Sequence, residues 1–355
     1  MSPTDEALER LLAQSRARAT ATDPDHGRLW ETVAAATEGG KRFRPALVTA
    51  AHDALGGTSP AAAAEVGAAV ELLHTAFVIH DDVIDGDQVR RGRLNVSGTF
   101  ATQALAAGAS SADATALGHA AGILAGDLAL AATIRAVATC GAPAEVVGRL
   151  LDLFDAALHT TAAGELTDVR LSLHLDTATV PQSLAMEEQK TSAYSFALPL
   201  QAGAVLAGAP EAVVARLGEA GRMLGVAFQL VDDLLGVFGD PARTGKSATS
   251  DLRARKQTPL LVHATTTPEW PALQAYVGRE LTDDELAEAR LLLTASGSRR
   301  FVEELVEAHL VGAREVLAEL GVPVDAVPAL AACLADLDDA SPAAPAGPAA
   351  KEVAA

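Results

Sequence analysis

The stretch Leu72-Leu73-His74-Thr75-Ala76-Phe77-Val78-Ile79-His80-Asp81-Asp82-Val83-Ile84-Asp85 runs from an apolar segment straight into three carboxylates. Unpaired charge is costly in greasy surroundings, so acids emerging from such a segment need partners. On a helix, Asp81 and Asp85 fall one turn apart on one face, with Asp82 beside them. About 150 residues later, Val231-Asp232-Asp233-Leu234-Leu235-Gly236 repeats the arrangement after another long apolar stretch. Two acidic helix faces turned toward each other make a site for hard divalent cations, which take oxygen ligands and bridge to phosphate.

Outward from these clusters the pattern stays helical. Apolar residues recur with helical spacing over 44–56, 60–86, 113–139, 143–164, 180–208, 210–236, 256–268, 282–295, 299–319 and 324–338, and no clear β-alternation interrupts them. Thr282-Asp283-Asp284-Glu285 reads as a capping box, and Gly297 and Gly321 stand where helices should stop. Hydrophobic residues make up 49% of the 355-residue chain and aromatics only 3%, so the core must be built of Ala, Leu and Val, which suits close helix packing. The expectation is an all-α chain with one helical domain over residues 26–340. Residues 1–25 read as a loosely docked helix and linker, and 341–355, rich in Ala and Pro, as a disordered tail.

A formal charge of −19 argues against a nucleic-acid or anionic-membrane partner drawn by global attraction. Phosphate must then be held by local cations or by bound metal. Cys140 and Cys333 are too few and too isolated for a disulfide framework, and a reducing cytoplasm is the simplest setting. The acidic start, Met1-Ser2-Pro3-Thr4-Asp5-Glu6, lacks the apolar core of a secretory signal. The charge-free run Thr191–Pro210 contains Pro199, Gln201 and Pro210 and reads as a buried helix rather than a membrane span. The nine His residues show no metal-ligand spacing. His80 reads as a packing residue near oxygen-loving ions, His74 as facing an anion, and His159 and His174 as structural.

Local cations do occur where an anion site needs them. The first acidic cluster continues as Gly86-Asp87-Gln88-Val89-Arg90-Arg91-Gly92-Arg93, and the planar fork of Arg suits phosphate. Gly39-Gly40-Lys41-Arg42-Phe43-Arg44-Pro45 reads as a basic loop entering a helix, a weak signal when taken alone. Glu188-Gln189-Lys190-Thr191 puts a cation at the edge of the charge-free run, and such a Lys often does no more than snorkel. Phe228-Gln229 lies one turn before Asp232, and a buried Gln is more often a satisfied core amide than a catalytic group. Gly245-Lys246-Ser247 and Arg255-Lys256 stand in and after a long polar connection. Gly-Lys-Ser is not a P-loop here, because the upstream Gly position holds Asp240 and no strand precedes it.

Taken in order, Gly-Lys-Arg-x-Arg-Pro, Asp-Asp-x-x-Asp, Arg-Arg-Gly, Lys-Thr and Phe-Gln-x-x-Asp-Asp resemble the motifs of the trans-isoprenyl diphosphate synthases, the polyprenyl synthetases that make farnesyl and geranylgeranyl diphosphates. The resemblance spans about Gly39 to Thr258. It implies an isoprenoid-synthase-type helical bundle around a deep central cavity, commonly as a homodimer. It implies Mg²⁺, three ions per site with substrate bound, held by Asp81, Asp82, Asp85, Asp232 and Asp233 against the diphosphate of an allylic substrate. Arg90, Lys190, Lys246 and Lys256 match positions around that diphosphate, with Lys190, Thr191 and Gln229 as catalytic residues beside the reacting carbon. Lys41, Arg44, His74 and Arg91 match the pocket of isopentenyl diphosphate, where no metal is needed. The chain departs from the common pattern at Gly236, where many members carry a third Asp; Asp240 is a candidate substitute.

The implied reaction draws diphosphate off an allylic carbon by electrostatic stabilisation of the leaving group, with apolar walls keeping water from the cation. Phe77, one turn before Asp81, lies about 6 Å beneath it, and with its small neighbour Ala76 it is expected to form the floor that limits chain length. That combination favours geranylgeranyl diphosphate (C20) over farnesyl diphosphate (C15). A class I terpene cyclase is the nearest rival, but it gives no reason for Lys41, Arg44 and Arg91. A regulatory subunit on the same fold would have lost more of its acids, and a helical scaffold explains none of the convergent charges.

Overall fold

The structure is a computed structural model that describes residues 2–39, 42–173, 177–239 and 250–323. Lys41, His174, Asp240, Lys246, the helix expected at 324–338 and the tail beyond it lie outside the described residues. The helices run in the order α1 (Pro3–Thr22), α2 (Pro24–Ala36), α3 (Phe43–Ala54), α4 (Pro60–Ile84), α5 (Val96–Ala106), α6 (Ser111–Ala138), α7 (Ala144–Ser172), α8 (Val180–Glu187), α9 (Leu198–Leu206) and α10 (Glu211–Phe238). Then come α11 (Ser250–Ala254), α12 (Pro259–Ala264), α13 (Trp270–Leu273), α14 (Asp283–Ala295) and α15 (Ser298–Glu319). The fold is all-α.

α4 explains itself from its sequence. It is apolar almost all round because it is a core helix, with Leu72 and Leu73 inaccessible and Ile79 nearly so. It packs most extensively against α6, while α10 packs against α15 and against the segment that carries Lys190. One large core joins α3, α4, α7, α9, α10, α14 and α15, and a second fills the space between α1, α2, α4 and α6. Both α4 and α6 have the length and hydropathy of a membrane span, but the apolar window of α4 is 78% buried within the protein. That of α6 is only 44% buried.

Four features depart from the expectations drawn from sequence. α1 is followed by no linker, since Asp23 alone separates it from α2, and its carboxylate caps α2 by accepting from the backbone N–H of Asp25 (2.8 Å) and His26 (3.2 Å). α5 stands where no helix was expected, started by Asn95, whose side chain accepts from Gly98 N–H at 2.8 Å. A small antiparallel ribbon, β1 (Val89–Arg90) and β2 (Arg93–Leu94), breaks the helical run, and two-residue strands are too short to show alternation. Its turn residues Arg91 and Gly92 both have positive φ (52° and 72°), the conformation a tight hairpin demands.

The fourth departure bears on the site. The single helix expected over 180–208 is α8 and α9 joined by a ten-residue π-helical segment, Glu188–Ala197. Leu198 N–H reaches back five residues to the Ala193 carbonyl, and Pro199 follows with no N–H to restore the tighter ladder. The wider coil is held between two helices at glycines. A Cβ on Gly164 of α7 would collide with the backbone of Gln189 and Lys190, and one on Gly225 of α10 would lie 2.5 Å from Ser192 Cα.

Candidate active site

α4 brings the first acids to its C-terminal end. Asp82 is buried, Asp81 is partly buried and Asp85 is exposed. Arg90, delivered by the ribbon, ties the first two, with Nε 2.6 Å from Asp82 and Nη2 3.0 Å from Asp81. From the π-helical segment, Lys190 Nζ lies 3.2 Å from Asp81, 3.0 Å from Glu165 and 2.6 Å from Asp168. These three carboxylates raise the Lys190 ammonium against the opposing pull of its burial, so it stays charged. Burial raises the carboxyls of Asp82 and Asp85; Arg90 counteracts this at Asp82, Lys190 and Lys256 at Asp85.

The second acids lie deeper. Asp233 is 4% exposed, and burial pushes its carboxyl up to about 7, with Asp251 and Asp232 adding like charge. Glu187, also 4% exposed, is raised well above its ordinary range by burial and by Asp233 beside it. The two buried carboxyls hydrogen-bond each other, the Glu187 carboxyl donating to Asp233. A relay joins this cluster to the π-helical segment: Thr191 Oγ1 donates to Gln229 Oε1 (3.3 Å), and Gln229 Nε2 donates to Asp233 Oδ1 (3.2 Å).

The two clusters share surroundings. Asp168 is paired with Lys190 beneath Asp81 and also acts on Glu187 beside Asp233. Lys256, 3.6 Å from Asp251, feels Asp168, Asp233 and Lys190. Asp81, Asp85, Lys190, Lys256 and Asp233 therefore belong to one charged cluster.

A second, basic pocket lies beside these acids, two turns earlier along the same face of α4. Arg44 stacks over the Phe43 ring (4.4 Å to the centroid) and donates from Nε to Ser195 Oγ at 3.0 Å. Burial depresses its guanidinium. His74 Nδ1 is 3.1 Å from Tyr194 Oη. Burial, then Arg44, Arg91 and Arg90, hold its ring well below the ordinary imidazole range, the signature of a pocket with surplus positive potential. Arg91 donates to the Glu38 carbonyl (3.0 Å), and Arg42 to buried Glu71 (2.6 Å). Among the described residues only Arg42, Arg91 and Arg255 are non-glycine residues with positive φ, and Arg42 and Arg91 border this pocket.

Ala76 and Phe77 do not share one wall. Neighbours on a helix point about 100° apart. Ala76 is inaccessible in the core shared with α1, α2 and α6, whereas Phe77 packs edge-on against Tyr194, ring centroids 4.8 Å apart. Sequence reasoning missed Glu165, Asp168, Glu187, Tyr194 and Asp251. For Glu165 and Asp168 the signal was an i, i+3 acid pair just past the expected end of a helix, which in fact runs on to Ser172.

All these acids offer hard oxygen donors, which fits Mg²⁺. Among the described residues no three His, Cys, Asp or Glu side chains converge to hold an ion alone. That too fits an ion that takes one or two carboxylates and completes its shell with substrate phosphate.

Residues 28–292 match the family model described as polyprenyl synthetase. The chain is 35% identical over 292 residues to a (2E,6E)-farnesyl diphosphate synthase of Mycobacterium tuberculosis, covering 80% of this chain and 75% of the relative. It is equally 35% identical over 284 residues to a geranylgeranyl diphosphate synthase of the same organism, covering 78% and 75%. The crystal structure of geranylgeranyl pyrophosphate synthase from Corynebacterium glutamicum, complexed with isoprenyl diphosphate and magnesium, superposes with a TM-score of 0.84 at 28% identity, covering 95% of this chain and 97% of that one. The chain belongs to the polyprenyl synthetase family and is a prenyl-transferring enzyme.

Proposed function

We propose that this chain condenses isopentenyl diphosphate with allylic diphosphates to make geranylgeranyl diphosphate. The observation that carries the reading is the pair of pockets: an acid-lined hollow holding Lys190 and Lys256, and beside it a basic pocket around His74. Two diphosphates need two differently built seats, and a cyclase needs only one. Asp81, Asp82, Asp85, Asp232 and Asp233 would hold Mg²⁺, which when bound neutralises the allylic diphosphate and makes it a better leaving group. Arg90, Lys190 and Lys256 orient its oxygens, while Arg44, His74 and Arg91 seat isopentenyl diphosphate; Lys41 and Lys246, outside the described residues, belong to the same assignment.

The allylic C–O bond breaks, with diphosphate taking the electron pair. The isopentenyl double bond attacks the resulting cation, and the product cation gives a proton to the departing diphosphate. Thr191 and Gln229 turn oxygen lone pairs toward the reacting carbon, and the aromatic wall of Phe43, Phe196 and Phe228 excludes water.

A farnesyl and a geranylgeranyl synthase share the same 35% identity with this chain, so product length rests on the floor. With Ala76 on another wall, the C20 reading rests on Phe77 alone, packed edge-on against Tyr194. A homodimer in the cytoplasm completes the proposal. It is supported by Leu117, Ile123 and Leu124 of α6 and Leu105 of α5, all about half exposed, and by an apolar groove of about 530 Å³ that includes Leu117 and Leu124. The test is purified protein with labelled isopentenyl diphosphate, each allylic starter and Mg²⁺, chain length being read by chromatography. Geranylgeranyl diphosphate as the main product is expected, and hydrocarbon from geranylgeranyl diphosphate alone would overturn the reading.

A further inference from the structure

The π-helical segment Glu188–Ala197 serves both halves of the site. Lys190 and Thr191 sit among the acids, and about one turn on, Tyr194 and Ser195 meet the basic pocket. Tyr194 is 8% exposed. Its ring lies nearly parallel to that of His74, with centroids 6.0 Å apart and 20° between planes, and edge-on to Phe77. Its hydroxyl stands between two pocket residues: Oη is 3.1 Å from His74 Nδ1 and also bonds the Arg44 guanidinium. Arg44 is fixed from the same segment, since its Nε donates to Ser195 Oγ at 3.0 Å.

These contacts decide where the imidazole carries its hydrogen. Arg can only donate, so Tyr194 Oη accepts from Arg44. Burial, then Arg44 and the arginines beyond it, hold His74 well below the ordinary imidazole range, and the neutral ring has a single N–H. Were that hydrogen on Nδ1, the Tyr194 oxygen would face two donors, and its own hydrogen would be left without an acceptor. Buried polar groups left in that state are rare because they are costly. With the hydrogen on Nε2 the chain closes: Arg44 donates to Tyr194, and Tyr194 donates to His74 Nδ1. Among the described residues nothing takes up His74 Nε2, which leaves it for a ligand.

We propose that Tyr194 is a positioning residue that fixes the ring hydrogen of His74 on Nε2, so that the ring donates to isopentenyl diphosphate. This deepens the proposed function and rests on it. Diphosphate oxygens accept hydrogen bonds, so the opposite tautomer would turn a lone pair toward them and repel.

If Tyr194 merely filled the space between His74 and Phe77, its hydroxyl would be dispensable. Tyr194→Phe keeps the ring and removes only that hydroxyl. In initial-rate assays of the full chain with Mg²⁺, KM for isopentenyl diphosphate should rise about tenfold, the scale of one hydrogen bond to a charged group. KM for the allylic substrate and the product length should stay as in the parent. A second measurement reads the ring itself, by proton–nitrogen correlation spectra of the ligand-free chain with labelled histidine. With His74 assigned by its loss in His74→Gln, the parent should show a protonated Nε2 and a bare Nδ1, and Tyr194→Phe a mixture of both tautomers.

A hydrogen on His74 Nδ1 in the parent overturns the proposal, and this test holds even if Tyr194→Phe fails to fold. An unchanged KM for isopentenyl diphosphate in the folded variant overturns it too. So does a raised KM with the His74 spectrum unaltered, because the hydroxyl would then act through Arg44. A parent that shows the Nε2 hydrogen yet incorporates no isopentenyl diphosphate brings down the underlying reading of the pocket instead, while the tautomer stands.

Discussion

The two acidic clusters read alike along the chain, yet they solve opposite electrostatic problems. On α4 the acids are already answered by protein cations: Arg90 grips Asp81 and Asp82, and Lys190 reaches Asp81. On α10, Asp233 has Glu187 and Asp251 for neighbours, and burial with like charge lifts its carboxyl to about 7. The first cluster therefore has protein cations at its oxygens. At the second, Asp233 is buried among like charges. Paired acids in a sequence reveal a likeness of composition, and only their three-dimensional neighbours reveal how differently the two pairs are set.

The hardest test of that contrast is to remove one acid from each side. Asp81→Ala and Asp232→Ala should each lower the rate of labelled isopentenyl diphosphate incorporation by about 10²–10³-fold, the scale of losing one preorganised charge contact. Near-normal rates in either would refute the role assigned to that side. Asp81→Ala should also strand Arg90 and Lys190 with fewer partners, so its ligand-free Tm should fall further than that of Asp232→Ala.

Next comes the scaffold between the clusters. Gly225→Ala places a methyl against Ser192 in the π-helical segment and should destabilise the fold by about 1–3 kcal/mol, measured by urea unfolding. Because that segment carries Lys190 and Thr191, the prenyl-transfer rate should drop with it. Wild-type stability in this variant would mean the segment has slack that the close approach denies.

A smaller effect lies in the pH dependence of ligand-free stability. Asp233 ionises near 7 when folded, against an ordinary value of 3.8, so the folded chain keeps a proton that the unfolded chain releases. Its contribution is full below about pH 4 and is lost as pH rises through 7. Asp233→Asn should flatten the fall of Tm across that window, and adding Glu187→Gln should flatten it further, since Glu187 is raised in the same direction. Asp82, raised by burial but countered by Arg90, should matter less, so that Asp82→Asn leaves the slope nearly intact.

The least disruptive change tests the floor. Phe77→Ala removes the ring packed on Tyr194 and should shift part of the product toward one further five-carbon unit, seen by chromatography of the labelled products. An unchanged product mixture would move the floor elsewhere along the hollow.

Much of this architecture was legible in the sequence for identifiable reasons. α4 and α10 announce themselves because their acids end long apolar helices, and α14 begins at Thr282, whose hydroxyl accepts from Glu285 N–H while the Glu285 side chain answers Thr282 N–H. α2 and α5 were hidden because their starts depend on single capping residues, Asp23 and Asn95, rather than on a strong apolar stripe. The acid neighbours of the site were hidden for another reason. Glu165, Asp168, Glu187 and Asp251 come from three separate elements, and no local spacing tells that Lys190 or Gly236 will meet them. The π-helical widening is likewise set by glycines on other helices and leaves no periodic trace of its own.

The left-handed backbone at Arg42, Arg91 and Arg255 has an awkward consequence for anyone seeking a hardier protein. Such a conformation costs roughly 1–2 kcal/mol at a residue with a side chain, so exchange for glycine looks attractive on backbone grounds. At Arg91 the same exchange discards a charge from the pocket around His74. Backbone ease gained there would be set against the positive potential that Arg91 lends to His74.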